Sequence, residues 1–244
     1  MLFLLRNIRR KMLTGNNKIA SYLLYAVGEI FLVVMGILIA VSIDDWNTSN
    51  KEKILEKGYI ELLVRDLKAD SISLQESIEY SNTVVRSKAI YLSMTKGDPI
   101  ADSSFQHISH AIFTAFPQFV PNRGAIEEIQ NAGGLSLIRN DSLQSQIMDL
   151  YNQYETFDRN VAQYHLTNTL RIRELVYEKA NGENVFYSSD GFNPTALMQL
   201  AMDGDIRNRV INNWAVTYNH SLKQLSKINS ETIHQCLLHL YNLD

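Results

Sequence analysis

Residues 22–43 read YLLYAVGEIFLVVMGILIAVSI, and this stretch decides the architecture of the chain. A helix needs about twenty mostly apolar residues to cross the roughly 30 Å hydrocarbon layer of a bilayer, and the run supplies them. Thirteen of its residues are Leu, Ile, Val or Phe. At roughly −0.3 to −0.6 kcal/mol each they favour insertion by about 4 to 8 kcal/mol, against roughly 2.5 to 3.5 for one central charge. The single charge, Glu29, lies off-centre, where its cost is smaller. A transmembrane helix is therefore expected over residues 19–43.

The flanks set its direction. Arg6, Arg9, Arg10, Lys11 and Lys18 precede the run with no acid among them, while Asp44 and Asp45 come after it. Positive flanks remain cytoplasmic, so residues 1–18 are expected inside and residues 44–244 on the far side, in the periplasm of a bacterial inner membrane. With those five cations set aside, 18 basic and 26 acidic residues leave a formal charge of −8 on the rest, which argues against a nucleic-acid partner. Ala40-Val41-Ser42 has the small residues of a signal-peptidase site, but a signal core is about 7 to 15 apolar residues, shorter than this run. A buried core helix is the other alternative; it leaves the charge asymmetry unexplained. Leu2, Leu5, Ile8 and Met12 recur at helical spacing between the N-terminal cations, which fits a helix lying among membrane lipids, or else a basic tail that only sets orientation.

After the span, alternation typical of strands is scarce, and only four prolines and eleven glycines punctuate the whole chain. The fold class expected is all-α: one transmembrane helix followed by an extracytoplasmic bundle of three long and several short helices, with coiled-coil-like seams. One cysteine, Cys236, rules out an internal disulfide, so packing must hold the bundle. Ser49-Asn50-Lys51-Glu52 resembles a capping box and predicts a helix from there to about Met94, with a seam of Leu63, Leu67, Leu74, Ile78, Val85 and Leu92 and a stop at Lys96-Gly97-Asp98-Pro99. A short helix is expected over 103–115, with Pro117 and Pro121 holding the next stretch of chain extended. A second long helix should start at Asn140 or Asp141 and run to about Ala180, with the seam Leu143, Ile147, Leu150, Tyr154, Phe157, Val161, Tyr164. Asn181-Gly182 ends it, and Asn193-Pro194 begins a short helix to about Met202. The last helix is expected over 205–243, on Ile206, Val210, Trp214, Tyr218, Leu222, Leu225, Ile233, Leu237 and Leu240.

Between these helices, residues 122–143 read NRGAIEEIQNAGGLSLIRNDSL: a short helix, a Gly133-Gly134 break and an apolar Leu135/Leu137/Ile138 cluster. Together with LRNIRRKML at 5–13, the span with its DDWN tail and Leu150-Tyr151, this segment resembles an uncharacterised family of bacterial single-span membrane proteins, a domain of unknown function. The resemblance covers essentially the whole chain and is strongest at the N-terminus. Family members carry Leu at the position of Ile129 and Ser at that of Ala132, both tolerable in a packing motif. It implies the topology and brings no activity, cofactor or catalytic residue. For the glycine pair itself, a helix C-cap is the plain reading and a docking knob the alternative.

No catalytic or cofactor signature emerges, and neither enzymatic activity nor a cofactor is expected. Glu231-Thr232-Ile233-His234 matches one Glu-x-x-His element of carboxylate-bridged metal bundles, but such sites need a second copy plus two further carboxylates. His107 and His110 share a helix face without a clear third ligand. Cys236 among Leu237, Leu238 and Leu240 reads as a buried thiol. Asn168 and Arg171 continue the second seam and either line a pocket or drift toward solvent, since a straight helix loses about 20° per heptad.

Glu29 remains. On a helix it shares a face with Tyr22, Tyr25, Val33, Gly36 and Ala40, a small and polar stripe suited to close helix approach. The candidate site is therefore Glu29, Tyr25, Gly36 and Ala40, used for contact with a second copy or another membrane protein. A protonated glutamic acid merely tolerated near the interface is the alternative. The expected function is a non-enzymatic membrane-anchored interaction, scaffold or sensory protein. The competing expectation is an ion-coupled single-span subunit of a larger complex in which Glu29 carries the proton, an analogy of topology alone.

Overall fold

A computed structural model describes residues 18–99, 118–179, 199–200 and 202–243, with side chains from Tyr22 onward. The expected N-terminal interfacial helix, the 103–115 helix with His107 and His110, Pro117, the Asn181-Gly182 stop and the Asn193-Pro194 start lie outside the described residues. All regular structure among the described residues is helical. The elements are α1 (Lys18–Lys96), α2 (Gly124–Ala132), a 3-10 turn (Leu135–Leu137), α3 (Asp141–Phe157), a π turn (Asp158–Ala162), α4 (Gln163–Lys179), α5 (Gly204–Ile211) and α6 (Ala215–Leu243). They divide into two compact units, residues 1–55 and 56–244.

In the first unit, α1 carries the apolar run with every described side chain from 27 to 50 exposed and Tyr25 and Ala26 half-buried. The helix is long and apolar enough to cross a membrane. Its described apolar side chains from Val27 to Ile43 are exposed, unlike those of a soluble core helix. Near the end of the run Ser42 donates to the Leu38 carbonyl at 2.8 Å, so this side chain satisfies itself within the helix.

The capping box at Ser49 does not cap anything: α1 runs through it without a break. Extending an existing helix through DDWNTSN costs a few tenths of a kcal/mol per residue, whereas stopping and restarting incurs nucleation again. The helix ends where the expected stop lies. Gly97 has φ 80° and donates to Met94 O at 3.1 Å, and Asp98 donates to Ser93 O at 3.2 Å.

In the second unit, α1 and α6 run antiparallel. Polar contacts join Glu56 to His239, Leu67 to Asn229, Asn82 to Asn219 and Lys88 to Asn213, one number falling as the other rises. The buried face of α1 steps by three and four without a fault: Glu56, Ile60, Leu63, Leu67, Asp70, Leu74, Ser77, Ser81, Val84, Lys88, Tyr91. Val85 and Leu92, placed on the seam from the sequence, are only half-buried. The α6 face steps likewise through Ala215, Tyr218, Leu222, Leu225, Asn229, Thr232 and Cys236, so Leu237 is exposed. The last helix is also two: it breaks at 212–214 between α5 and α6, leaving Trp214 partly exposed.

Helix α3 begins where expected, with Asn140 Oδ1 accepting from Leu143 N at 3.1 Å. Leu143, Ile147, Leu150, Tyr154 and Phe157 enter the core. Then the seam jumps. The π turn, closed by Gln163 N donating to Asp158 O, inserts one residue, and the buried set continues as Ala162, His165, Thr169, Ile172 and Val176. Tyr164 and Arg171 consequently point outward. The extra residue turns the face by about 100°, five times the drift of about 20° per heptad.

Phe119 packs edge-on against Tyr154 at 5.2 Å, and Phe157 lies 5.3 Å from Tyr218, so α3, α6 and the segment leading into α2 share one aromatic centre. The hairpin after α2 is a C-cap: Gly133 and Gly134 have φ 138° and 87°, and Gly134 N donates to Ile129 O at 2.8 Å. Ile138 is buried and Leu135 and Leu137 half-buried.

Candidate functional site

The Glu29 stripe lies wholly on α1. At 100° per residue, Tyr25, Gly36 and Ala40 fall within about 40° of Glu29 around the helix, and the stripe from Glu29 to Ala40 is about 17 Å long. Glu29, Gly36 and Ala40 are exposed and Tyr25 is half-buried. A Cβ at Gly36 would meet no atom within 4 Å, so the backbone there is open to close approach by another helix. Of the topology determinants, Lys18 is the first residue of α1, and Arg6, Arg9, Arg10 and Lys11 lie outside the described residues.

The second unit holds ionisable groups that sequence reasoning missed, because a search for apolar periodicity passes over polar residues at seam positions. Glu56 is fully buried: Oε1 accepts from Arg139 N at 2.7 Å and lies 2.8 Å from His239 Nε2, and Arg139 Nε stands 3.8 Å from Oε2. One carboxylate thereby joins α1, the residue shortly after the 3-10 turn and α6. Asp66 and Asp70 form a second joint. Asp66 Oδ2 accepts from Ala125 N at 2.8 Å, capping α2 from another helix, and Asp70 Oδ1 accepts from Asn122 N and Asn122 Nδ2, both at 2.8 Å. Burial raises the Asp70 carboxyl above its ordinary value, the Asn122 bonds oppose this, and the Asp66 charge adds to it. Burial and the Asp70 charge together push the Tyr154 phenol far up.

The third joint is cationic. Lys88 Nζ donates to Ile211 O at 3.0 Å, Asn213 O at 3.1 Å and Asn213 Oδ1 at 2.9 Å, closing the C-terminal end of α5. Burial lowers its ammonium below the ordinary value. His165 is 1% exposed, stacks on Tyr218 at 4.9 Å, and is held at about 4, first by burial and then by the Lys88 charge.

What these groups do chemically is join helices. Glu56 Oε1, Asp66 Oδ2, Asp70 Oδ1 and the ammonium of Lys88 each meet a backbone group or a side chain from a different element, while Asp66 Oδ1 accepts from its neighbour Arg65. Among the described residues, no group of three or more His, Cys, Asp or Glu is arranged to hold a metal ion. Glu231 and His234 are both exposed, Glu231 lying 3.8 Å from Lys227, so the Glu-x-x-His element faces solvent. Asn168 donates to Tyr164 O in its own helix at 3.0 Å and Arg171 is exposed. Cys236 is buried, its thiol pushed up to about 12 by burial.

Among the described residues, fold and site together define an all-helical architecture with one helix long and apolar enough to cross a membrane. A family of unknown function, DUF6090, matches residues 29–178, and the chain belongs to that family. The matched segment starts at Glu29, inside the apolar run, and takes in the remainder of that run, the rest of α1, the α2 hairpin, α3, the π turn and nearly all of α4; α5 and α6 lie outside it. No curated protein and no solved structure matches the chain.

Proposed function

We propose that this is a single-pass membrane protein of a bacterial inner membrane, N-terminus cytoplasmic, whose periplasmic helical bundle serves as a non-enzymatic interaction or sensory scaffold and whose span self-associates through the Glu29 stripe. One observation carries the reading: on α1 an apolar run with exposed side chains holds a single carboxylate, in line with a bare glycine and an alanine. Exposed apolar side chains favour a lipid environment, while a carboxylate in hydrocarbon costs several kcal/mol unless it meets protein or water. A second helix laid against Gly36 and Ala40 supplies that meeting point and buries no bulky side chain badly.

The test is disulfide trapping in native membranes. With Cys236 replaced by Ser and a cysteine introduced by Ala40→Cys, mild oxidation should give a covalent dimer, and Leu38→Cys, off the stripe by about 160°, should give far less. Protease added from the periplasmic side should digest the bundle and spare residues 1–18. A chain that stays monomeric with either cysteine, and that retains no partner on cross-linking in mild detergent, would overturn the proposal.

A further inference from the structure

The cationic joint brings together features that no other described part of the second unit combines. Lys88 from α1 is a buried ammonium whose three hydrogen bonds go to oxygen atoms at the last residue of α5 and in the turn that follows it. His165 from α4 is buried beside it and stacked on Tyr218 from α6. The charged and titratable groups that reach this joint are Lys88 from α1, the Tyr218 phenol from α6, which stays protonated to about 12, and Asp158 from the π turn, which acts on Tyr218. The α5–α6 turn contributes carbonyl and amide groups through Ile211 and Asn213. Three residues before His165 the π turn ends, an interruption of the regular α-helical hydrogen bonding between α3 and α4 of a kind often found at functional sites.

We propose that Lys88, His165 and Tyr218 form an acid-sensitive latch, which holds α4 and the α5–α6 turn against α1 while His165 is neutral and releases them when it takes up a proton. The geometry gives the mechanism. A neutral imidazole lies flat on the Tyr218 ring beside the fixed ammonium. An imidazolium in the same place puts a second positive charge next to Lys88 in a buried region, so protonation favours an arrangement in which His165 reaches solvent. The π turn is the point about which α4 yields, and loosening α4 uncovers Lys88 and the turn it caps. The proposal stands independently of the membrane reading.

The magnitude comes from linkage. His165 titrates near 4 when the latch is closed and near its ordinary value of about 6.5 when open. A histidine with a lowered value in the closed state costs nothing above about pH 6.5, and the closed state is progressively lost as the pH falls from there toward about 4. At pH 5 the opening equilibrium is therefore about 30-fold larger than at pH 7.5.

Hydrogen exchange on the full-length chain in lipid nanodiscs, corrected for the chemical exchange rate and measured at pH 7.5, 6.0 and 5.0, tests this. Protection should fall about 30-fold between pH 7.5 and 5 in residues 163–172 and 212–218, and hold in residues 63–67 and 143–150. His165→Phe keeps an aromatic ring on Tyr218 and cannot titrate, so its profile should be flat; His165→Gln makes the same test if the phenylalanine variant does not fold. A wild-type profile that is flat, a loss spread evenly over the bundle, or a pH dependence retained by either folded variant overturns the latch.

Discussion

His239 Nε2 on α6 lies 2.8 Å from Glu56 Oε1 on α1, across 183 residues of sequence, and the carboxylate between them is fully buried. Removing it strands both the His239 ring nitrogen and the Arg139 amide. Glu56→Ala should therefore cost about 3 kcal/mol in the urea unfolding of the full-length chain in detergent, as expected for a buried charge network broken on one side. Glu56→Gln retains one acceptor and should cost less than half of that. Equal losses for the two variants would mean that the acceptor matters less than the charge.

Asn229 sits on the α6 seam and donates through Nδ2 to Leu67 O at 2.9 Å and Ser71 Oγ at 2.7 Å. Asn229→Ala should cost about 2 kcal/mol for two lost interior bonds. Asn229→Asp should be worse, because a carboxylate oxygen then faces the Leu67 carbonyl. Its excess cost should shrink as the pH falls toward about 4 and the acid takes up a proton. Unfolding of both variants at pH 7 and pH 4.5 checks the order and the trend.

Cys236 should resist alkylation in the folded chain. With its thiol pushed up to about 12, the reactive thiolate is scarce at pH 8 as well as buried. Iodoacetamide labelling followed by mass spectrometry should run at least 100-fold slower without urea than with it, by roughly the ratio of thiolate populations. The raised thiol has a consequence at alkaline pH: the folded group keeps its proton while the unfolded one loses it, so stability should decline as the pH rises above about 9.

Glu29→Gln separates the two readings of the stripe. Glutamine still hydrogen-bonds across a helix contact, so a scaffold should keep its membrane level and its cross-linked dimer. An ion-coupled subunit should keep its membrane level and lose function completely. The dimer yield of Gly36→Leu, which crowds the contact, should fall well below that of Glu29→Gln in the same trapping assay.

Much of the architecture was legible in residue order. The apolar run, the stop at Lys96-Gly97, the Asn140 cap, the α3 seam from Leu143 to Phe157 and the glycine C-cap all obey local rules, and all lie where those rules put them. The failures have physical causes. Ser49-Asn50-Lys51-Glu52 has the residues of a cap but no preceding break, so the helix passes through it. Beyond Phe157 the seam moves by one residue because the π turn at Asp158–Ala162 adds one, and DRNVA carries no glycine or proline to announce it. The polar joints escaped because Glu56, Asp70, Lys88 and Asn229 fall in step with apolar neighbours yet count as breaks in an apolar pattern. A stricter count of three-and-four spacing, blind to polarity, would have placed all four in the interior. The stripe around Glu29 was read entirely from spacing, which the continuous helix preserves.

The four polar contacts between α1 and the C-terminal part of the bundle act as the teeth of a rack. An all-apolar seam tolerates slippage, since one leucine packs against another at many offsets. Here a slide of one helical turn, about 5.4 Å, disengages Glu56, Leu67, Asn82 and Lys88 from their partners at once. The two helices therefore have one stable alignment, with no graded series of neighbouring ones. A load applied along either helix is shared by every tooth until all of them let go together.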